Sequence, residues 1–238
     1  MKRIITGIVS IAICLMIPIA AHSVDKKNTA SGEAKPSVKQ EGKSTSKKDL
    51  AIVLDIGKTA EDIFNNVNAG KWKAVPGKIK HLRTAALNSD LARIIGGDDA
   101  KKVNTALDAI EKAAADKDKK SALEAANQLT FLAINIAGRY NPAIPVGISL
   151  LEYFGRELQL GAAAKDTARI NAAIKNIRNT WDMVKGPVRE HGGVVEEKAF
   201  SLLVLGLEKA GSSSAIVSLY PRVIEQVGRL EKVFEKKR

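Results

Sequence analysis

The side chains best suited to chemistry lie between positions 139 and 157, where charged and aromatic residues interrupt apolar sequence. The candidate ligand-binding residues, two before and four after a proline break, are Arg139, Tyr140, Glu152, Tyr153, Arg156 and Glu157. On a helix, a spacing of four residues puts Glu152 beside Arg156 and Tyr153 beside Glu157. A partly buried ion pair needs further polar partners, so we expect Arg139 or Tyr140 nearby.

This cluster has two interpretations. Convergent ionisable groups could form a polar pocket for a small ligand or cofactor. They could instead form a structural network that fixes how neighbouring helices align, since such networks also arise without a ligand. We favour the structural interpretation and keep the ligand pocket as the alternative.

The remaining residues offer little catalytic or metal chemistry. His81 lies among lysine and arginine residues, which disfavour a bound cation, and His191 adjoins two glycines in a predicted loop. No histidine–glutamate spacing suits a metal pair, and no nucleophile elbow or phosphate-binding loop is present. We therefore predict no metal site, no cofactor and no enzymatic activity.

The start of the sequence is typical of a secretory signal peptide. Lys2 and Arg3 precede an uncharged apolar run over residues 4–21, and small residues follow. We predict cleavage after Ser23, with Ala21 as second choice and an uncleaved membrane anchor as the alternative. The exported chain would be periplasmic or secreted, without a transmembrane helix. It would also have no thiol, because Cys14 is the only cysteine.

Residues 24–48 form a polar segment rich in lysine and serine. Such a composition buries too little apolar surface to offset the entropy of ordering, so we predict a disordered linker. The domain organisation expected is a signal peptide over 1–23, the linker over 24–48 and one folded domain over 49–238.

The apolar residues after position 49 recur at intervals of three and four. From Ile170 to Val188 and from Ile216 to Phe234 the spacing alternates between these values, which is typical of amphipathic helices. We predict an all-α, up-and-down antiparallel bundle of about eight helices, since short connections make neighbours antiparallel. The predicted helices cover residues 50–67, 72–87, 100–115, 121–139, 145–164, a segment capped by Asp166, 194–210 and the C-terminus.

The region from Ala113 to Asn127 resembles the last helix hairpin of the exported four-helix bundles of the cytochrome c′ type. The resemblance is carried by the string Ala-Ala-Ala-Asp-Lys-Asp at 113–118 and the alanines that follow. It implies a similar hairpin and no haem, because the Cys-x-x-Cys-His attachment motif is replaced by Thr-Phe-Leu-Ala-Ile at 130–134.

Basic residues outnumber acidic ones by 38 to 26, which gives a formal net charge of +12. Outside the cytoplasm we expect anionic envelope components as partners, and no nucleic acid. The candidate anion-binding patch on the second predicted helix consists of Lys71, Lys73, Lys78, Lys80 and Arg83. The alternative is an ordinary solvated surface, because net charge bears on solubility and association rather than on fold.

The expected function is accordingly that of an exported, non-catalytic helical bundle that binds a partner protein or an envelope component. The alternative function is a bundle that binds a small ligand or cofactor at a polar site around Arg139, Tyr140, Glu152 and Arg156.

Overall fold

The computed structural model describes residues 47–86, 89–140, 142–210 and 213–235. The chain divides into two units, Met1–Gly42 and Lys43–Arg238, and all described residues belong to the second. The predicted signal peptide and nearly all of the predicted linker therefore lie outside the described residues.

The described residues are almost entirely helical, which confirms the predicted all-α bundle. Their nine α-helices are α1 Lys47–Asn68, α2 Val75–Ala86, α3 Ser89–Ile95, α4 Gly97–Ala115, α5 Lys119–Ala137, α6 Val146–Ala164, α7 Thr167–Glu190, α8 Val194–Glu208 and α9 Ser213–Glu235. Single turns of 3-10 helix cover Trp72–Ala74 and Gly138–Tyr140. Within the described residues, none of the helices combines the length and the apolar character needed to cross a bilayer.

Three local features differ from the predicted pattern. Helix α1 begins at Lys47, so the last two residues of the predicted linker are helical. Helix α2 begins at Val75, and Pro76 lies in its first turn, where a missing backbone amide costs nothing. The short helix α3 was not predicted, because seven residues are too few to show a helical period.

Two interhelical turns share one construction. Lys117 after α4 and Lys165 after α6 adopt left-handed backbone conformations, with φ of 51° and 54°. The next residue in each case is the N-cap of the following helix: Asp118 accepts a hydrogen bond from the Ser121 amide, and Asp166 accepts one from the Arg169 amide. The predicted capping role of Asp166 is therefore confirmed.

The apolar side chains form two cores rather than one. Helices α1 to α5 surround the first core, which also receives Leu160 from α6. Helices α6 to α9 surround the second, where Trp181 stacks against Phe200 with ring centroids 4.7 Å apart. Helix α6 runs antiparallel to α5 and to α9, so it lies between the two cores and positions the polar groups described below.

Glycine permits the close packing of α6 against α9. A Cβ atom added at Gly155 would lie 2.8 Å from the Ile224 Cδ1 and 3.0 Å from the Val223 Cγ1. Any larger residue would therefore require the Ile224 and Val223 side chains to shift or the two helices to move apart.

Candidate functional site

The six residues predicted to form one cluster lie in three separate places. Arg139 and Tyr140 bind the end of α3 and the first turn of α4: the Arg139 guanidinium lies 2.5 Å from an Asp99 carboxylate oxygen. The Tyr140 hydroxyl donates to the Ile94 carbonyl at 2.8 Å. These two residues hold α3 in place, and neither of these contacts joins them to Glu152 or Arg156.

Arg156 is the centre of a buried acidic group between α1, α6 and α9. We call this group the Arg156 cluster; its members are Glu61, Glu152, Arg156 and Glu231. The Arg156 side chain is only 2% exposed, and its Nη2 donates to the Glu152 Oε1 at 2.5 Å. Its Nη1 lies 3.7 Å from the Glu61 Oε1, beyond hydrogen-bond distance.

The hydrogen-bonding capacity of the Arg156 guanidinium is only partly used. Among the described residues, the Arg156 Nη1 has no hydrogen-bond partner. The guanidinium carbon lies 5.2 Å from the centre of the Phe64 ring, a cation–π contact that compensates only part of the lost hydration. A buried charge of this kind is costly unless its donors are used.

Two carboxyl groups beside Arg156 have strongly shifted acidities. Burial, reinforced by the negative charge of Glu152, raises the pKa of Glu61 to about 7 despite the opposing effect of Arg156. Burial, reinforced by Glu152 and Glu235, raises the pKa of Glu231 to about 7 as well. At neutral pH both carboxyl groups are therefore far more protonated than an ordinary glutamate.

A cavity of about 430 Å³ opens beside this cluster. Its walls come from α1, α5, the segment 142–146, α6 and α9. The apolar lining includes Val53, Ile134, Ala137, Ile144 and Val146. The polar lining consists of Lys58, Glu61, Ser149, Glu231 and Glu235. The cavity thus combines apolar walls with the two carboxyl groups of raised pKa, an arrangement suited to an amphipathic ligand.

Of the other two predicted site residues, Glu157 belongs to a second polar group, which we call the Arg169 cluster. Its members are Glu124, Asn127, Glu157 and Arg169. Arg169 donates through Nε to the Glu157 Oε2 at 2.8 Å and through Nη1 to the Glu124 Oε1 at 3.1 Å. The Asn127 amide donates to the Glu157 Oε1 at 2.7 Å. This cluster links α5, α6 and α7, as expected of a structural network.

Tyr153 lies beside this second cluster, and its role is that of an apolar ring. It stacks on Phe131 of α5 with centroids 4.7 Å apart. Burial, followed by the negative charge of Glu157, raises the pKa of the Tyr153 hydroxyl above its usual range. The phenol therefore stays protonated at physiological pH.

The predicted basic patch is partly neutralised by ion pairs. The Lys78 ammonium lies 2.5 Å from an Asp62 carboxylate oxygen, and Arg83 pairs with Glu111 and Asp108. Lys80 is exposed on α2, whereas Lys71 and Lys73 lie in the turn that precedes this helix. Two of the five predicted cations are therefore engaged in the bundle itself.

The histidines occupy ordinary surface positions. The His81 Nε2 lies 2.6 Å from an Asp55 carboxylate oxygen, and the His191 Nδ1 lies 2.8 Å from the Pro187 carbonyl oxygen. Within the part of the chain that the structure describes, no group of three or more histidine, cysteine or acidic side chains is placed to hold a metal ion.

Glu61 and Glu231, which are the central carboxyl groups of the cavity, were not among the predicted site residues. Each glutamate lies one helical turn after a buried residue on the apolar face of its helix. Glu61 is four residues after Gly57, and Glu231 is four residues after Val227. The sequence signal that could have identified them is a glutamate at a helical position that otherwise belongs to the buried apolar face. Comparisons with family models, curated proteins and solved structures give no match to this chain.

Proposed function

We propose that this chain is an exported, non-catalytic binding protein and that the cavity beside the Arg156 cluster receives a small organic cation with an apolar body. The observation that carries this proposal is the placement of Glu61 and Glu231, both with a pKa of about 7, on an otherwise largely apolar wall. The proposed export rests on the signal-like residues 1–23.

The charge of the site favours a cation. Four glutamates, at positions 61, 152, 231 and 235, face only two basic groups, Lys58 and Arg156. A positive ligand would stabilise the ionised carboxylates and thereby lower their pKa. Binding would therefore release protons near neutral pH, and affinity would rise with pH between about 5 and 8.

The apolar walls favour a ligand that also carries hydrocarbon. A cavity of about 430 Å³ lies within the size range of small-molecule sites. Burying each methylene group contributes about 0.8 kcal/mol of transfer free energy. We therefore expect affinity to increase along a series of straight-chain primary amines until the chain no longer fits.

Calorimetric titration with n-alkylammonium ions tests this function, with the matching alcohol and carboxylate as comparison ligands. The ammonium ion should bind at pH 8, and Glu231→Gln should weaken it about tenfold or more, because a charge-assisted contact is lost. Glu225→Gln is the matched control, since Glu225 is an exposed residue of α9 that pairs with Arg229.

Two results would contradict the proposed function. One is equal binding of the ammonium ion and the alcohol, which would show that the carboxylates play no part. The other is unchanged ammonium affinity in Glu231→Gln, provided that thermal unfolding shows this variant to be folded.

A further inference from the structure

Three chain reversals meet at one end of the described bundle. They follow α1, α4 and α6, and each contains a residue with positive φ, namely Gly70, Lys117 and Lys165. The Lys119 ammonium donates to the Asn68 carbonyl at 2.8 Å, and the Gln159 amide donates to the Asn68 Oδ1 at 2.8 Å. These bonds bring the end of α1, the start of α5 and the last turns of α6 together.

Six lysines surround these reversals, and we call the surface they form the lysine end. Its members are Lys71, Lys73, Lys117, Lys119, Lys120 and Lys165, all of them exposed. Three carboxylates share this end. Asp116 is exposed, whereas Asp118 and Asp166 accept hydrogen bonds from amides of their own helices. No ion pair found in the described residues engages any of the six lysines.

The opposite end of α4 has a different arrangement of charges. There Lys102 lies 3.1 Å from an Asp99 carboxylate oxygen, and Arg139 lies 2.5 Å from the other. Lys101 lies 3.8 Å from an Asp98 oxygen. Cations at that end are compensated within the protein, whereas the six members of the lysine end have no ion pair among the described residues.

Two of these lysines occupy backbone positions that favour glycine. Lys117 and Lys165 have φ of 51° and 54°, in the left-handed region where a side chain is disfavoured and where helices commonly end in glycine. Gly70 fills the equivalent position after α1. Lysine at the other two turns sacrifices some backbone stability and places a charge at the outermost point of each turn.

We propose that the lysine end docks on the surface of a bilayer rich in anionic lipid. Lysine ammonium groups near such a surface are attracted by its negative potential, and the attraction adds up over several lysines. Trp72, between Lys71 and Lys73, packs against the first core with part of its surface and leaves the rest exposed. Tryptophan is the residue type that settles at the boundary between headgroups and hydrocarbon. A flexible polyanion would bind the lysines but has no hydrocarbon boundary for the indole to enter. We therefore favour the bilayer as the partner of this surface.

The test is co-sedimentation of the full-length protein, as isolated from its own envelope, with vesicles of equal parts phosphatidylglycerol and phosphatidylcholine. The test variant combines Lys117→Asn, Lys120→Gln and Lys165→Asn, because asparagine tolerates the left-handed conformation. The control variant removes three exposed lysines elsewhere, by Lys175→Gln, Lys198→Gln and Lys232→Gln.

At low salt we expect the unaltered protein and the control variant to sediment with these vesicles and to remain in solution with pure phosphatidylcholine. The test variant should bind about tenfold to a hundredfold more weakly. Added salt should release the unaltered protein, because exposed charges more than about 10 Å apart are screened at 0.1 M.

Three outcomes would overturn the proposal. The first is no sedimentation of the unaltered protein even at low salt, which would leave the lysine end as an ordinary solvated surface. The second is an equal loss in the control variant, which would assign binding to overall charge. The third is binding to a soluble polyanion such as polyphosphate that exceeds binding to the vesicles, which would assign the surface to a polymer.

Discussion

The two polar clusters on α6 are built from similar residues but are satisfied to different degrees. In the Arg169 cluster, the guanidinium donates hydrogen bonds through Nε and both Nη atoms to two carboxylates. In the Arg156 cluster, one guanidinium faces three carboxyl groups and bonds through a single nitrogen. Each cluster nevertheless leaves one buried polar atom without a partner among the described residues, Asn127 Oδ1 in the first and Arg156 Nη1 in the second. The first cluster joins three helices, whereas the second lies beside a cavity.

This difference separates the structural from the functional interpretation of the sequence. Both clusters contain a glutamate and an arginine near aromatic rings, yet only the Arg156 cluster contains carboxyl groups whose pKa is raised to about 7. Strongly perturbed acidities next to a cavity are typical of binding sites. The following predictions test whether the contrast between the clusters is real.

The largest expected effect is that of Arg156→Met. This change leaves Glu61 and Glu152 without their buried positive partner, and breaking a buried pair in this way costs about 3–5 kcal/mol. The free energy of unfolding, measured with urea at pH 8, should fall by that amount. The loss should shrink at pH 5, where Glu61, whose pKa is already raised to about 7, is protonated. An equal loss at both pH values would show that Arg156 acts through packing alone.

Glu231→Gln should raise stability in a pH-dependent manner. The pKa of Glu231 is about 7 in the folded protein, against an ordinary value of 4.5. As pH rises between these values the unfolded chain loses its proton first, so the folded state becomes less stable. The glutamine variant avoids this loss. We expect it to be more stable than the parent by about 1–3 kcal/mol at pH 8 and equal to it at pH 4.

The control for this pH dependence is Glu225→Gln, which changes an exposed carboxylate on the same helix. Its unfolding curves should follow those of the parent at both pH values within about 0.5 kcal/mol. If this variant were also more stable than the parent at pH 8, the effect would be due to net charge and not to the buried site.

Gly155→Ala tests whether the close approach of α9 maintains the Arg156 cluster. The added methyl group would collide with Val223 and Ile224, and overpacking of this kind costs about 1–3 kcal/mol. Separation of α6 from α9 should also hydrate Glu231 and lower its pKa. Gly77→Ala is a suitable control, since a Cβ at Gly77 meets no atom within 4 Å. If the pKa of Glu231 stayed at about 7 in the destabilised Gly155→Ala variant, this account would be contradicted.

The smallest effect is expected for Arg169→Gln. The Arg169 side chain is 25% exposed, against 2% for Arg156, and Glu157 keeps the hydrogen bond from Asn127. We expect a loss of about 1 kcal/mol with little dependence on pH between 5 and 8. Arg178→Gln, which removes the surface pair with Glu208, provides the scale for an ordinary ion pair. A loss as large as that of Arg156→Met would remove the distinction between the clusters.

Local sequence patterns predicted most of the helical architecture correctly. The steps of three and four residues from Ile170 to Val188 correspond to one buried face of α7. Asp166 was correctly predicted as an N-cap, because that role depends on a backbone amide only three residues away. The start of α2 was placed three residues early, since a single 3-10 turn has the same local composition as a helix.

The candidate site was predicted only where it depends on local spacing. The pairing of Glu152 with Arg156 follows from four residues on one helix. The proximity of Arg139 to this pair was expected and does not occur, because Arg139 bonds to Asp99, forty residues earlier. Such a partner depends on how α4 packs against α5, which no local pattern reveals.

The long helices, the Asp166 cap and most of the apolar faces could be predicted from the sequence alone, because these properties depend on neighbours within one or two helical turns. Only the tertiary structure decided that α1 and α9 meet α6 at the same level. That meeting buries Glu61 and Glu231 together beside Arg156. Acidity depends on burial and on charges from distant parts of the chain, so the feature that most indicates function arises only when the bundle is assembled.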